Sequence, residues 1–303
     1  MIHGIINVYK EKGYTSHDVV AKLRGILGQK KIGHTGTLDP DAEGVLPVCL
    51  GKATKVCDLL ADKDKTYHAI LLLGKTTDTQ DTSGRVLREA EVTSSIKEVY
   101  QAIQSFQGDY EQVPPMYSAL KVNGKKLYEL AREGRTVERE ARKVQIHEIK
   151  IHEIVLPRVS MTVSCSKGTY IRTLCHDIGE KLGCGGCMEQ LLRTQVGSFF
   201  LEDSLKLEEI EILKDLGQLG EHIIRIDELF SGYPAVTLKE EYQKLLANGN
   251  PFYSRQAKKQ VFPEGNGYVR VYGADGTFYA IYEYIKKENR FRPVKMFYDG
   301  SGE

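Results

Sequence analysis

The chain has 303 residues, of which 41% are hydrophobic and 27% charged, and its formal net charge at pH 7 is +1. This length predicts about two domains with sizeable cores, and the composition is ordinary for a globular protein. No apolar run approaches the length of a membrane span, and the N-terminus becomes charged too soon for a signal peptide. We therefore expect a cytoplasmic protein without a membrane segment, whose six cysteines are reduced thiols.

The pattern of apolar and polar residues predicts alternating strands and helices near the N-terminus. In chain order these are a strand at 4–9, a helix from Thr15 or Ser16 to about Leu27, strands at 45–50 and 66–73, and a helix from Ser94 or Ser95. Residues 33–44 interrupt the pattern, because their glycines and Pro40 favour a loop.

Residues 108–142 differ in character from the segments around them. They are rich in glycine, proline, tyrosine and basic residues, and their pattern predicts one short helix near 124–133. We interpret this stretch as an arm or flap rather than as part of a core. The elements predicted after it are strands at 143–156 and 158–165, a helix near 170–182 and a strand near 190–197.

The composition changes again beyond Tyr233. A short helix is predicted at 239–247, and alternating strands with a turn at Asp275-Gly276 follow it. This pattern favours a small β-rich domain of about 70 residues after a larger mixed domain. The fold class predicted for the whole chain is therefore α+β.

Charge is distributed unevenly along the chain. Residues 201–230 carry nine acidic and three basic residues, a net charge of −6, whereas residues 1–200 and 231–303 have net charges of +4 and +3. Two mildly basic regions thus flank an acidic connector. This distribution permits a polyanionic partner, although a solvated surface of mixed charge explains it equally well.

Two familiar site motifs are absent or incomplete. Gly51-Lys52 and Gly74-Lys75-Thr76 lack the earlier glycine of a phosphate-binding loop, since Leu46 and Ala69 occupy those positions. Cys184-Gly-Gly-Cys187 has no second pair of ligands at zinc-finger spacing, and small residues in a glycine loop account for it better. We therefore expect no metal and no cofactor.

The segment GHTGTLDPDAEGVLP (33–47) places Asp39 in a loop rich in glycines and acids. Glycines let the backbone approach a ligand, and Pro40 restricts the turn. A carboxylate held there can act as a nucleophile or a general base without a metal. The structural alternative is that an aspartate before proline simply forms a turn, and this fragment alone favours that alternative.

Several other side chains favour the catalytic interpretation of Asp39 over the structural one when they are considered together with it. His34 lies five residues before it, Tyr67 begins a strand, Asp81 lies in the turn TDTQD, and SKGTYIRTL places Tyr170 and Arg172 where a helix begins. Each of them alone is most often structural. Together they offer a stacking platform, a nucleophile and a cation.

Five segments resemble, in order, the motifs of one enzyme family. They are GHTGTLDPDAEGVLPVCLGKATK, DKTYHAILLLGKTTDTQDTSG, QVPPMYSALKVNGKKLYELAREG, SKGTYIRTLCHDIGEKLGCGG and LLRTQVGSF. From about residue 4 to residue 297 the chain resembles bacterial tRNA pseudouridine synthases of the TruB type. It departs from their opening motif, Lys-Pro-x-Gly, in having Glu11 after Lys10, which weakens a pre-formed turn.

The resemblance implies a fold and a reaction. It implies a mixed-sheet catalytic domain over 1–230 with a thumb-like insertion at about 108–142, and a small β-barrel-like PUA RNA-binding domain over 231–303. The implied reaction isomerises uridine 55 of the tRNA T loop to pseudouridine by base flipping, cleavage of the glycosidic bond and rejoining through C5. It requires neither a metal nor a cofactor.

The resemblance also implies roles for the site residues. Asp39 is the catalytic residue, which either attacks C1′ of the ribose or promotes elimination to a glycal. By the same resemblance, Tyr67 stacks on the uracil and transfers a proton, and Arg172 pairs with Asp39 and Asp81. His34 fills the space that the base leaves, and Tyr170 and Leu191 line the uracil pocket. The arm lysines Lys121, Lys125 and Lys126 contact RNA.

The expected partner is tRNA, bound at its T arm and elbow. Guide-RNA-dependent relatives lack the thumb, so its presence favours a monomer that needs no protein partner. Two other functions stay open on sequence alone. One is a tRNA-folding factor, a role that can coexist with the enzyme, and the other is a nucleosidase acting on free uridine.

Overall fold

The structure of the chain is a computed structural model that describes residues 1–122, 124–258 and 262–298. Residue 123 of the predicted arm, and residues 259–261 and 299–303 of the predicted C-terminal domain, lie outside this description. The described strands are β1 (Gly4–Lys10), β2 (Ile32–His34), β3 (Glu43–Leu50), β4 (Lys65–Leu73), β5 (Lys75–Thr77), β6 (Val86–Glu89), β7 (Gly108–Gln112), β8 (Lys121–Val122), β9 (Lys125–Lys126), β10 (Arg142–Val155), β11 (Arg158–Cys165), β12 (Gly186–Val196), β13 (Phe199–Phe200), β14 (Ala235–Thr237), β15 (Phe252–Tyr253), β16 (Gly267–Tyr272), β17 (Phe278–Ile285) and β18 (Arg290–Met296). The described α-helices are α1 (Ser16–Leu27), α2 (Cys57–Ala61), α3 (Ile96–Gln104), α4 (Leu127–Arg132), α5 (Ile171–Lys181), α6 (Leu207–Asp215) and α7 (Gln243–Ala247).

Nine of the described strands form one large mixed sheet. Its path runs β1-β3-β12-β4-β11-β10-β7, with β2 paired to β3 and β13 paired to β12. β3 and β12 are parallel, and the other neighbours are antiparallel. The strand predicted near 190–197 begins earlier, at Gly186, because its first residues pair with the end of β4. The predicted α+β class with a mixed sheet is confirmed.

Helices cover this sheet in two groups. α3 and α5 enclose one apolar cluster with β4, β10 and β11, whereas α1 and α6 enclose a second cluster with β1 and β3. The helix predicted from Thr15 is confirmed, because Thr15 and Asp18 form a capping box and Gly28 ends the helix in the left-handed conformation. The loop that contains Asp39 leaves the sheet between β2 and β3.

α5 packs against β12 with an unusually short backbone separation. A Cβ atom added to Gly179 of α5 would lie 2.1 Å from the backbone nitrogen of Gly186, so no larger residue fits there without movement. This close packing fixes α5 on the sheet, and the first turn of α5 carries Arg172.

The predicted arm is shorter in the structure than in the sequence analysis. Residues 108–112 form β7, an edge strand of the large sheet that pairs with β10, so the arm spans 113–141. Its elements are the hairpin β8–β9 and α4, which begins at Leu127 rather than near 124. The sheet pairing of β7 therefore anchors the base of the arm.

The C-terminal segment forms a separate five-stranded sheet in the order β14-β16-β17-β18-β15. A buried apolar cluster nevertheless joins it to the large sheet, since Ile281 and Phe297 pack in the same cluster as Val45 and Val56. Lys55 Nζ also donates to the carbonyl of Met296 over 2.8 Å. Within the described residues, no helix combines the length and apolar character needed to cross a membrane.

Candidate active site

The loop between β2 and β3 holds Asp39 at a defined position. The amide of Leu38 donates to the buried hydroxyl of Ser16 over 2.9 Å. The ammonium of Lys10, which is fully buried, donates to the carbonyl of Pro40 over 3.1 Å, and the amide of Gly13 donates to the same carbonyl over 2.9 Å. The opening turn therefore supports the loop although Glu11 stands where the family motif has proline.

Arg172 brings together two of the predicted acidic residues. Its Nε lies 2.8 Å from Oδ2 of Asp39 and its Nη2 lies 3.3 Å from Oδ1, so the pair is bidentate. Its Nη1 lies 3.7 Å from Oδ2 of Asp81 and donates to the carbonyl of Thr79 over 2.9 Å. Nη2 also donates to the carbonyl of Tyr117 in the arm over 2.8 Å. The predicted Asp39–Arg172–Asp81 constellation thus forms in the structure.

Asp39 is accessible on one side and enclosed on the others. Its side chain is 37% exposed, whereas that of Arg172 is 6% exposed. Burial raises the pKa of the Asp39 carboxyl above its usual value, and the guanidinium of Arg172 opposes this rise more than any other neighbour. Asp81 adds to the rise by repulsion. The carboxyl of Asp39 is consequently harder to ionise than an exposed aspartate, and Arg172 is the neighbour that most favours its ionised form.

Tyr67 is buried next to an arginine that the sequence analysis missed. Tyr67 of β4 pairs in register with Arg193 of β12, and both side chains are buried. Burial raises the pKa of Tyr67, and the cation of Arg193 opposes that rise. The sequence signal for Arg193 was weak, because Thr194 and Gln195 follow it in LLRTQVGSF and the arginine does not stand out in a polar stretch of the strand.

Arg193 lies within hydrogen-bond distance of both ends of the Asp39 loop. Its Nε donates to the carbonyl of Val45 over 2.7 Å, and its Nη2 donates to the carbonyl of Gly36 over 3.5 Å. Among the described residues, no carboxylate lies within ion-pair distance of this guanidinium. A buried cation without a carboxylate partner is costly, and burial accordingly lowers the pKa of Arg193.

The predicted base-contacting residues lie on three different elements. His34 ends β2, and its ring meets that of His17 edge to face at a centroid distance of 5.2 Å. Burial lowers the pKa of His34, which favours the neutral ring. Tyr170 is the N-cap residue of α5, and its amide donates to Oε1 of Gln112 over 2.8 Å. Leu191 of β12 is partly buried against the main apolar cluster.

The three predicted arm lysines make their contacts within the arm. Lys121 and Lys126 are paired across the β8–β9 hairpin, and Lys125 forms an ion pair with Glu133 over 3.3 Å. Lys126 Nζ donates to the hydroxyl of Tyr128 over 3.1 Å. The structure does not bring these lysines into contact with the Asp39 constellation, to which the arm is connected instead by the carbonyl of Tyr117.

Cysteine and histidine side chains show no metal-like grouping in the described ranges. No three of the His, Cys, Asp and Glu side chains there are arranged to hold a metal ion. Cys184 and Cys187 are buried free thiols next to the start of β12.

Comparison with protein families and curated proteins gives consistent matches. The model described as TruB family pseudouridylate synthase (N terminal domain) matches residues 24–171, and that described as tRNA pseudouridylate synthase B C-terminal domain matches residues 172–230. The chain is 54% identical over 309 residues to tRNA pseudouridine synthase B of Lachnoclostridium phytofermentans, covering 98% of this chain and 100% of the relative. It is 46% identical to the protein of the same name from Clostridium kluyveri, covering 97% of this chain and 99% of that relative.

Solved structures with a similar fold belong to larger assemblies. A chain in the crystal structure of a Cbf5-Nop10-Gar1 complex superposes with a TM-score of 0.71 at 27% identity, covering 97% of this chain and 85% of that chain. A chain of the archaeal box H/ACA sRNP Nop10-Cbf5 complex superposes with a TM-score of 0.70 at 25% identity, covering 98% of this chain and 87% of that chain. The mixed sheet and its helices therefore have the fold of these chains.

Proposed function

Because the chain belongs to the TruB family of pseudouridylate synthases, we propose that it isomerises a uridine of tRNA to pseudouridine, at position 55 of the T loop. The observation that carries this proposal is the bidentate ion pair between Arg172 and Asp39, whose carboxylate stays accessible while the arginine is buried. A fixed, reachable carboxylate is what cleavage of a glycosidic bond requires.

The proposed reaction conserves atoms and electrons. Asp39 attacks C1′ or promotes elimination to a glycal, and in either case the N1–C1′ bond breaks and uracil leaves. The base rotates and C5 bonds to C1′. In the first route the bond between C1′ and the Asp39 oxygen breaks in this step, and in the second route C2′ takes back the proton that elimination removed. The proton on C5 then passes to a base, and N1 takes up a proton. No oxidant or reductant is needed.

Three side chains support the chemistry of Asp39, two of them as cations and one as a stacking and proton-accepting group. Arg172 orients Asp39 and favours its ionised form, since an adjacent cation lowers a carboxyl pKa. Tyr67 stacks on the flipped uracil and accepts the C5 proton. Arg193 assists Tyr67, because its cation opposes the rise in the pKa of the tyrosine and so stabilises the phenolate.

Flipping the uridine out of the folded loop costs a few kcal/mol, which contacts with the protein must offset. In this proposal the ring of His34 fills the space that the base leaves. Tyr170 and Leu191 line the uracil pocket, next to the first turn of α5 and the middle of β12. Asp81 holds the far side of Arg172.

RNA binding is proposed to involve the arm and the C-terminal segment. Lys121, Lys125 and Lys126 of the arm face the phosphates of the T arm and elbow, as a thumb over the RNA. Residues 1–230 form the catalytic domain and 231–303 a PUA-like RNA-binding domain. We propose a cytoplasmic monomer that works without cofactor or obligatory protein partner, and that also assists tRNA folding.

Tritium release tests the chemistry directly. An unmodified tRNA transcript carrying tritium at C5 of its uridines is incubated with purified protein alone, because rejoining at C5 expels that tritium. We expect release near one equivalent per tRNA, and none from a transcript in which uridine 55 is replaced by cytidine. Asp39→Asn should abolish release while tRNA binding persists, because the amide cannot act as nucleophile or base.

Asp41→Asn is the matched control, since Asp41 is an exposed acid in the same loop, and this variant should release tritium like the wild type. A wild-type protein that binds tRNA but releases no tritium would contradict the enzyme and favour a tRNA-folding factor. Activity on free uridine would favour a nucleosidase.

A further inference from the structure

A cavity of about 560 Å³ lies on the α1 side of His34. Its charged lining comes from Arg24 of α1 and from Lys30 and Lys31 in the turn that follows, with His17 beside them. Among the described residues that line this cavity, none is acidic. We call it the basic pocket.

The positive charge of the basic pocket is not neutralised by the protein. Within the described part of the chain, no carboxylate lies within ion-pair distance of Arg24, Lys30 or Lys31. A second cavity of similar size provides a contrast, because its two cations are each paired, Lys75 with Glu89 over 3.0 Å and Arg158 with Glu189 over 2.8 Å. Unpaired cations in a concave surface attract an anion.

One cation of the basic pocket is already oriented. Arg24 Nε donates to the carbonyl of Lys30 over 3.1 Å, and its Nη2 donates to the carbonyl of Ile32 over 3.4 Å. These bonds hold the guanidinium against the turn, so less side-chain freedom is lost when an anion binds. Guanidinium groups bind phosphate oxygens well, because their donors match the geometry of the oxygens.

The basic pocket adjoins the candidate active site. Both include His34, whose ring also contacts His17 at the edge of the pocket. The loop that carries Asp39 begins directly after His34. When the uridine of an RNA strand reaches Asp39, the nucleotides next to it in the RNA therefore lie near the mouth of the basic pocket.

We propose that the basic pocket binds one phosphodiester of the RNA strand beside the flipped uridine. This inference rests on the proposed function, because it takes RNA as the substrate. Binding a flanking phosphate holds the backbone in its distorted course and offsets part of the cost of flipping.

Salt dependence of RNA binding tests the proposal. Binding of a fluorescently labelled T-arm hairpin is measured at several salt concentrations, with all variants made in the Asp39→Asn background so that no product forms. Each phosphate contact with a single strand contributes about 0.7 to the slope of log affinity against log salt. The double variant Lys30→Gln/Lys31→Gln should therefore bind several-fold more weakly at low salt, with a slope shallower by about 0.7.

The matched control is Lys22→Gln/Lys97→Gln, which removes the same charge from exposed positions on α1 and α3 outside the pocket. Thermal unfolding should be the same for both double variants, because the four lysine side chains are exposed. Equal slopes for the two double variants, or a wild-type slope for the pocket variant, would overturn the phosphate site. If the wild type releases no tritium from tRNA, the proposed function fails separately, whatever the slopes are.

Discussion

At the scale of single residues, Asp39 is subject to two opposing influences. Burial raises the pKa of its carboxyl, and the bidentate contact with Arg172 lowers it. Proposed catalysis requires the ionised carboxylate, so activity is lost as the pH falls through this raised pKa. That loss occurs at a higher pH than the one at which an ordinary aspartate is protonated.

Replacing Arg172 should therefore move the acid limb of the pH–activity profile. In Arg172→Gln the opposing cation is gone, the pKa of Asp39 rises further, and the acid limb shifts to higher pH. Arg172→Lys keeps a positive charge but loses the bidentate geometry, so its limb should shift less although its rate falls too. Single-turnover tritium release across the acid pH range measures both shifts, and unshifted limbs in both variants would refute this role of Arg172.

At the scale of elements, the position of Arg172 depends on how α5 packs on the large sheet. Gly179 of α5 and Gly186 of β12 meet backbone to backbone, which leaves no room for a side chain. The same helix carries Arg172 in its first turn, seven residues before Gly179. A displacement of α5 therefore changes the geometry at Asp39.

Two helix glycines should consequently respond in opposite directions to substitution by alanine. Gly179→Ala places a Cβ atom 2.1 Å from the nitrogen of Gly186, and we expect the free energy of unfolding to fall by about 1–3 kcal/mol. In α1, a Cβ atom at Gly25 meets nothing within 4 Å, so Gly25→Ala should raise that free energy by about 0.5–1 kcal/mol. Urea unfolding followed by circular dichroism measures both, and equal effects would show that the close packing does not matter.

At the scale of the whole molecule, two sheets share part of one core. Phe297 lies beside β18 of the smaller sheet and is buried in the cluster that also contains Val45 of the larger sheet. The junction is held further by the hydroxyl of Tyr272, which donates to Asp227 over 2.9 Å, and by Arg270 Nε, which donates to the carbonyl of Tyr233 over 2.9 Å. The arm, in contrast, extends from the sheet between β7 and β10.

Limited proteolysis should distinguish these two regions. Without tRNA we expect the first cuts within 113–141, because exposed segments with few tertiary contacts open most readily, while the junction at 225–235 resists. Bound tRNA should slow the cuts in the arm if it orders over the RNA. Cleavage of the arm at equal rates with and without tRNA would contradict the proposed thumb, and first cuts at the junction would contradict the shared core.

The sequence by itself determined the local features of this protein. Periodicity and a capping residue predicted α1, and short apolar segments predicted β3 and β4, because these signals are contained within a few neighbouring residues. A helix was likewise predicted near 170–182, where α5 lies. The family motifs likewise marked Asp39 and Arg172, which the structure brings into contact although 133 positions separate them. Their roles in catalysis stay predictions.

Only the tertiary structure decided which distant segments meet. Residues 108–112 were expected in the arm, yet pairing with β10 makes them an edge strand. Arg193 looked like one more residue of a strand, and its burial beside Tyr67 follows from the register of β12 on β4. The basic pocket, too, exists because the turn after α1 folds back beside Arg24. Such contacts depend on strand pairing and packing across the fold, which local residue patterns do not encode.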